Sequence, residues 1–395
     1  VPSRPSADAV LLIVPAGMDG QHPAAAGTMV CGIPLLRRIV VAGVRAGFGQ
    51  ILVRARGKED GSVLDGTPAT LLAPGSAPPV PRPGRLVLVA ENVLPDPRWL
   101  VSLLALPVER DRLYVDGSSA AVIEATDPGR LLSAAALSRS VEDLLVTAGA
   151  AYGTEPRAFD PSGRVIVATS EDLGRAEEWL LRGLIKANEG FMSRHVERRI
   201  SLALTRRLVT TRITPNAVTL VSLLIGLAGA PFFLSSAPAY QLVGALLFLA
   251  HSIVDGCDGE LARLRFQESR AGALLDFWGD NVVHVAVFGS MAIGWSWSVH
   301  AAWPLVLGAA AVLGTVLSAA GESRRWLEPA GLEAESSRLA RVRDSVANRD
   351  FIYLVVLLAA VGKAAWFVVL VAVGTPIFLA LLIWVARHPD GSRRP

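Results

Sequence analysis

Two pairs of aspartates lie inside otherwise apolar stretches of this 395-residue chain. One stretch ends Asp255-Gly256-Cys257-Asp258-Gly259-Glu260-Leu261-Ala262-Arg263, and the next begins Gly272-Ala273-Leu274-Leu275-Asp276-Phe277-Trp278-Gly279-Asp280. On a helix Asp255 and Asp258 are i,i+3 neighbours on one face. Asp276 and Asp280 are i,i+4 neighbours, with Gly272 one turn earlier on the same side. Two antiparallel helices joined by a short loop bring both pairs to similar depth, facing each other. Four carboxylates gathered this way repel, and each is expensive to desolvate; only Arg263 and Arg265 lie close by in sequence. A divalent metal resolves the conflict, because hard oxygen ligands select Mg²⁺, Mn²⁺ or Ca²⁺. Two ions bridged by shared carboxylates suit displacement at phosphorus. Gly259 and Gly272 remove side chains where a ligand or a neighbouring helix must approach. Cys257, between the acids, reads as a small packing residue.

The composition says where such helices would sit. The chain is 52% hydrophobic and only 18% charged, against about a quarter charged in a soluble protein. Its length allows two or three domains, and two cysteines far apart (Cys31 and Cys257) exclude a disulfide framework or zinc site. From about Asn216 onward six apolar stretches follow: Asn216–Leu234, Tyr240–Leu261, Ala271–Ile293, Ala301–Ala320, Ser345–Lys363 and Ala365–Ala386. Most approach the roughly 20 residues that a bilayer core requires, so six membrane spans are expected.

Loop charge sets the expected orientation. Arg194, Arg198, Arg199, Arg206, Arg207 and Arg212 precede the first span, and Arg263, Arg265 and Arg270 follow the second. Arg324, Arg325, Arg338, Arg341, Arg343 and Arg349 follow the fourth, and Arg387, Arg393 and Arg394 lie in the tail. The intervening loops Ser235–Ala239 and Gly294–His300 have no Lys or Arg, and the fifth-to-sixth turn has only Lys363. The positive-inside rule then places both termini and the acid cluster in the cytoplasm of an inner-membrane protein. The net charge of +3 is an orientation signal, and nucleic acid is not an expected partner. Ile200, Leu204 and Leu208 recur at helical spacing among arginines, which predicts an amphipathic helix on an anionic lipid surface; a charged linker helix is the alternative.

The first half reads as soluble α/β. Strands are expected at Val10–Val14, Gln50–Arg54, Arg85–Ala90, Arg112–Val115 and Arg164–Thr169, and helices at Ile33–Ala42, Gly129–Leu137 and Asp172–Ile185. Their alternation suggests a parallel sheet with crossovers. The five prolines between Pro74 and Pro83 mark a loop.

The acid-bearing segment resembles the CDP-alcohol phosphotransferase family. Its signature D-x2-D-G-x2-A-R-x8-G-x3-D-x3-D is met without departure by Asp255, Asp258, Gly259, Ala262, Arg263, Gly272, Asp276 and Asp280. The resemblance implies six helices holding a two-metal site (Mg²⁺ or Mn²⁺) open to the cytoplasm, in a homodimer. It also implies transfer of a substituted phosphate from a CDP-alcohol to a small polar or phosphorylated acceptor alcohol, with release of CMP. Carried over, Asp255, Asp258, Asp276 and Asp280 would ligate metal, and Asp280 would also be the general base. Gly259, Ala262, Arg263, Gly272 and Asp255 would line the CDP site, with Pro215, Asn216 and Thr219 closing over the nucleotide.

The first half is similar to sugar-phosphate nucleotidyltransferases at Gly32-Ile33-Pro34-Leu35-Leu36-Arg37-Arg38, Gly47 and Ile51-Leu52-Val53. The joint layout is similar to the bifunctional inositol-phosphate cytidylyltransferase/di-inositol-phosphate phosphate synthases. It implies a Rossmann-like cytidylyltransferase domain at 1–182, a juxtamembrane amphipathic helix at 183–213 and a six-helix membrane domain at 214–395. Two departures matter. The nucleotide loop reads Pro15-Ala16-Gly17-Met18-Asp19-Gly20-Gln21-His22-Pro23, without the family's arginine and lysine, and Glu91-Asn92 follows the Leu86–Ala90 strand where a metal-binding aspartate is expected. Loss of nucleotidyl transfer is therefore expected. Arg324, Arg325, Arg343 and Arg349 are candidates for binding the acceptor. Phosphatidylinositol-phosphate synthases carry Ser-Tyr-x-Lys after the fourth span, whereas this chain has Ser318-Ala319-Ala320-Gly321, against an inositol-phosphate acceptor. Two donors stay open, CDP-diacylglycerol and CDP-inositol. A cation transporter or channel is the rival from another class, but it would show inverted repeats or broken helices, and no repeat is visible.

Overall fold

The computed structural model describes residues 6–17, 27–54, 56, 59–73, 80, 84–185, 190–327 and 350–387. The chain divides into two compact units, Val1–Arg182 and Gly183–Pro395.

The first unit is built on β1 (Ser6–Val14), β2 (Met29–Val30), β3 (Ile33–Pro34), α1 (Leu35–Ala46), β4 (Phe48–Val53), α2 (Glu59–Val63), β5 (Thr70–Leu71), β6 (Gly84–Ala90), β7 (Val93–Pro95), α3 (Pro97–Leu104), β8 (Leu113–Asp116), β9 (Ala120–Ala125), α4 (Pro128–Leu137), α5 (Val141–Tyr152), β10 (Thr154–Pro156), β11 (Arg164–Ile166) and α6 (Ser170–Arg182). Seven strands form one sheet in the order β10-β8-β9-β6-β1-β4-β5. Its centre is parallel, with Leu12 opposite both Leu52 and Leu88. Val10 to Val14 and Leu86 to Ala90 are all buried, the continuous apolar run of a strand covered on both faces.

The sheet is mixed, where a parallel one was expected, because β9 pairs antiparallel with both β6 and β8. Its sequence, Ala-Ala-Val-Ile-Glu-Ala, is half alanine, a residue depleted in strands, so it gives no strand signal of its own. The expected strand at Arg164–Thr169 is shorter and leaves the main sheet to pair with β7. Arg38, on α1, is buried and donates to the carbonyls of Val30 (2.7 Å) and Cys31 (2.9 Å); burial lowers its pKa to about 10. It ties down the β2–β3 turn, where Cys31 takes a φ of 42°.

The second unit is helical: α7 (Arg198–Leu208), α8 (Pro215–Gly229), α9 (Pro238–Arg265), α10 (Arg270–Val299), α11 (Trp303–Leu327), α12 (Phe351–Ala360) and α13 (Trp366–Arg387). A 3₁₀ turn, Ala230–Leu234, extends α8. Helix α9 packs against α7, α8 and α12, and α10 packs against α8 and α11. Phe233, Phe248, Val283, Val287, Met291, Ala311, Val355 and Phe367 fill the core between them. Where α8 meets α9, a Cβ at Gly244 would lie 3.0 Å from the Gly229 carbonyl oxygen. Only glycine lets the backbones come that close, the usual device between apolar helices. Leu224, Val306, Leu357 and Ile377 point outward, each more than 60% exposed, as a lipid-facing surface requires.

Four helical segments are long and apolar enough to cross a membrane: Pro215–Leu234, Pro238–Arg265, Arg270–Val299 and Trp303–Gly321. The expected fifth and sixth spans correspond to shorter apolar helices among the described residues, Phe351–Ala360 and Trp366–Ile377. The second of these is the first part of α13, which runs on to Arg387.

Candidate functional site

The connection between α9 and α10 sets the geometry. Phe266 ends α9 in the left-handed conformation (φ 57°), its N–H turning back to Ala262 and Arg263, and Gln267 N donates to Ala262 O at 2.9 Å. This is a helix C-cap made without glycine. Ser269 then caps α10, accepting from Gly272 N at 3.0 Å. The two helices are thus joined by four residues and run antiparallel. Asp255 lies ten residues before the end of α9 (265 − 255), and Asp280 lies ten after the start of α10 (280 − 270). Both sit about 15 Å from the helix ends, deeper than a position in the last turn.

Asp255, Asp258 and Asp276 each bring a carboxylate oxygen into one cluster, all three within 4.8 Å of one another. Asp255 and Asp258 are 3% and 6% exposed. Asp276 Oδ1 is buried with no hydrogen-bond partner among the described residues. Two oxygens bound to one Mg²⁺, Mn²⁺ or Ca²⁺ at about 2.0–2.6 Å stand up to about 4–5 Å apart, so these donors fit a hard divalent cation. Thr219, buried on α8, donates its hydroxyl to Asp258 Oδ2.

Asp280 stands beside this trio. Its Oδ1 faces His251 Nε2 at 3.4 Å, and His251 Nδ1 lies 2.9 Å from the carbonyl oxygen of Ser222. A carbonyl only accepts, so Nδ1 carries a hydrogen, and Nε2 donates to the carboxylate when it carries one as well, in the imidazolium form. His251 is 3% exposed. Sequence reasoning passed over it, although a histidine one turn before Asp255 in an apolar stretch was the available signal.

The remaining signature residues gather around the acids. Arg263 reaches back over Gly259, where an added Cβ would lie 3.2 Å from its Nη1. A Cβ at Gly272 would lie 3.0 Å from Asn216 Oδ1, so the starts of α8 and α10 meet. Pro215 opens α8, and its carbonyl oxygen lies 3.2 Å from Thr219 Oγ1. Ala262 lies on α9 one turn after Asp258. Arg265 belongs elsewhere: its guanidinium donates to the carbonyls of Leu208 (2.9 Å), Val209 (2.9 Å), Thr211 and Ile213 (2.5 Å), capping α7. Cys257 is buried against α7, its Sγ 3.5 Å from Ser201 O. Arg324 and Arg325 fall in the last turns of α11, whereas Arg343 and Arg349 lie outside the described residues.

Helix α7 carries the residues of the expected amphipathic stripe. Ile200 is 48% exposed, while Ser201 and Thr205 are buried; its polar face turns inward, onto α9.

In the first unit, the C-terminal ends of β1 and β6 carry a closed contact. Glu91, 4% exposed, pairs with Arg56, whose Nη2 also donates to Ala16 O at 2.7 Å. Residues 18–23 of the expected nucleotide loop lie outside the described residues.

Residues 212–332 match the family model for CDP-alcohol phosphatidyltransferase, so the C-terminal half carries a domain of that kind. A protein of Rubrobacter xylanophilus named bifunctional IPC transferase and DIPP synthase is 38% identical over 200 residues, covering 49% of this chain and 45% of its own length. A protein of Thermococcus kodakarensis with the same name is 38% identical over 125 residues, covering 31% of this chain and 28% of its own. The chain thus spans less than half the length of these two relatives. Among solved structures, phosphatidylinositol phosphate synthase of Mycobacterium tuberculosis in apo form aligns with a TM-score of 0.37 and 21% identity, covering 49% of this chain and 99% of that one.

Proposed function

We propose that this chain is an integral membrane CDP-alcohol phosphotransferase. The observation that carries the reading is the trio Asp255, Asp258 and Asp276, whose oxygens lie within 4.8 Å of one another inside a segment that keeps the whole signature. In this reading the membrane half has six spans (214–395), both termini and the acid site are cytoplasmic, and the protein is a homodimer.

The trio and Asp280 would hold two Mg²⁺ or Mn²⁺ ions, which when bound neutralise the diphosphate of the donor. The protein's own residues do the rest. Arg263 pairs with phosphate, and Gly259 and Gly272 leave room for it. Thr219 holds Asp258 in place by its hydrogen bond, and Asn216 and Pro215 border the nucleotide. The acceptor oxygen bonds to the phosphorus of the alcohol phosphate, the diphosphate bridge breaks and CMP leaves. Asp280 takes the acceptor's proton, oriented by His251.

Relatives named DIPP synthase favour CDP-inositol as donor over CDP-diacylglycerol. The absence of Ser-Tyr-x-Lys at Ser318 to Gly321 speaks against an inositol-phosphate acceptor with either donor. Arg324, Arg325, Arg343 and Arg349 supply cations for a phosphorylated acceptor. A cation pathway is disfavoured because the acids lie at one level of α9 and α10 rather than along a route.

The first unit (1–182) is a cytidylyltransferase-like domain that has lost nucleotidyl transfer. The pairing of Glu91 with Arg56 supports this, since it ties up the acid at the place of a catalytic metal ligand. Residues 183–213 form the juxtamembrane segment.

The test is CMP release by the purified full chain with Mn²⁺ or Mg²⁺, offered CDP-inositol or CDP-diacylglycerol and a panel of polyols and polyol phosphates. No CMP from any pair overturns the reading. In parallel, the Asp280→Asn chain is given CTP and polyol phosphates; pyrophosphate release would overturn the reading of the first unit.

A further inference from the structure

Glu260 occupies a position that the signature leaves free, yet its side chain is completely buried. A buried carboxylate is costly unless it is paired and hydrogen-bonded, and here three donors come from a single helix. Arg198 Nη1 lies at 2.5 Å, Ser201 Oγ at 2.7 Å and Thr205 Oγ1 at 2.7 Å. These residues are spaced i, i+3, i+7, so they form one stripe of α7. That stripe is the inward-facing polar side of the helix, and Glu260 is its counterpart on α9.

The contact extends along α9. Cys257 Sγ reaches Ser201 O at 3.5 Å, and a Cβ at Gly256 would lie 3.7 Å from Arg198 Nη1. Residues 256, 257 and 260 therefore face α7, while Asp255 and Asp258 face Asp276 on the adjoining side of the same two turns. Arg263 is also within electrostatic reach of Arg198, Glu260 and Asp258. Removing its charge leaves Arg198 and Arg263 repelling each other. A helix backbone is stiff over two turns, so a change in how α9 seats on α7 moves the carboxylates on its other side.

We propose that Glu260 is a positioning residue of the same site: through Arg198, Ser201 and Thr205 it seats α7 against α9 and thereby sets where Asp258 and Arg263 stand. The proposal deepens the reading above and rests on it for the identity of the bound groups.

The experiment uses the full chain in detergent, with Mn²⁺ as probe. Mn²⁺ affinity is measured by electron paramagnetic resonance, thermal unfolding without metal gives stability, and CMP release gives kcat and donor KM per folded molecule. Glu260→Gln removes charge and pairing together, whereas Thr205→Val removes one hydrogen bond and no charge. The expected result is a roughly tenfold loss of Mn²⁺ affinity for Glu260→Gln and about threefold for Thr205→Val. Donor KM should rise several-fold in both. Adding Arg198→Gln to Glu260→Gln should cause no further loss and recover part of the affinity, because it removes the repulsion that Glu260→Gln leaves with Arg263. A purely structural role predicts lower thermal stability with Mn²⁺ affinity and KM of the folded fraction within twofold of wild type; that result overturns the proposal. If Glu260→Gln does not fold, Thr205→Val decides by the same criteria. Wild-type protein that binds Mn²⁺ but releases no CMP would refute the activity while leaving Glu260 to be judged on affinity. Wild-type protein that binds no Mn²⁺ would overturn both.

Discussion

Replacing Asp276 with asparagine should make the metal-free protein more stable while removing its response to metal. The three carboxylates of Asp255, Asp258 and Asp276 present oxygens within 4.8 Å of one another. At that distance and an effective dielectric of about 20, two like unit charges repel by about 3.5 kcal/mol. Asparagine at 276 removes two of the three pairs, a gross relief of about 7 kcal/mol. Water, counterions and protons reaching the cluster from the helix ends take up part of it. A net gain of about 2–4 kcal/mol is therefore expected, which for a unit of this size raises Tm by roughly 5–10 °C. Metal reverses the order. Wild-type protein with Mn²⁺ at about 100 times its Kd gains about 2.7 kcal/mol, whereas the variant, lacking one of the four carboxylate ligands, gains almost nothing. The assay is thermal unfolding in detergent at pH 7.5, with EDTA and then with Mn²⁺. A variant that melts below wild type in EDTA, or that keeps the wild-type Mn²⁺ shift, refutes the idea of a repelling cluster relieved by a cation.

Asp280→Asn should lower CMP release about 10²–10⁴-fold, the usual contribution of a general base, and should keep part of the Mn²⁺ shift because the trio is intact; the pair of measurements checks both roles. Arg265→Ala removes the cap from α7, and hydrogen exchange measured by mass spectrometry should rise over Leu208–Ile213, with a local loss of about 1–2 kcal/mol. Gly272→Ala brings a Cβ to 3.0 Å from both Asn216 Oδ1 and Ser269 Oγ, so donor KM should rise several-fold at nearly unchanged Tm. Arg56→Met takes a guanidinium away from buried Glu91, and the first unit should lose about 1–3 kcal/mol in a thermal melt, a discounted figure because Arg56 is a third exposed.

Much of the fold could be read before any coordinates. The runs at Val10–Val14 and Leu86–Ala90 are long, apolar and bounded, and they became the two central strands. Four of the apolar stretches became helices of spanning length, each within a few residues of the expected start. What escaped was context-dependent. Strand β9 is half alanine and takes its conformation from β6 and β8 on either side. Helix α7 displays Ile200, Leu204 and Leu208 at helical spacing, a pattern that equally suits a buried or an exposed face; the fully buried Glu260 decides in favour of turning Ser201 and Thr205 inward.

The sequence by itself determined which residues share a face of each helix. The 3.6-residue repeat makes Asp255 and Asp258 neighbours, and likewise Asp276 and Asp280, wherever the helices go. It also determined the short connection between the two acid-bearing helices, and hence that the acids meet at a similar level. Only the tertiary structure decided which face meets which partner. That choice depends on how separate helices seat on one another, at places such as Gly229 and Gly244, where the absence of a side chain brings backbones together. So Asp280 found His251, Glu260 found Arg198, and Arg265, the last residue of α9, became the cap of another helix.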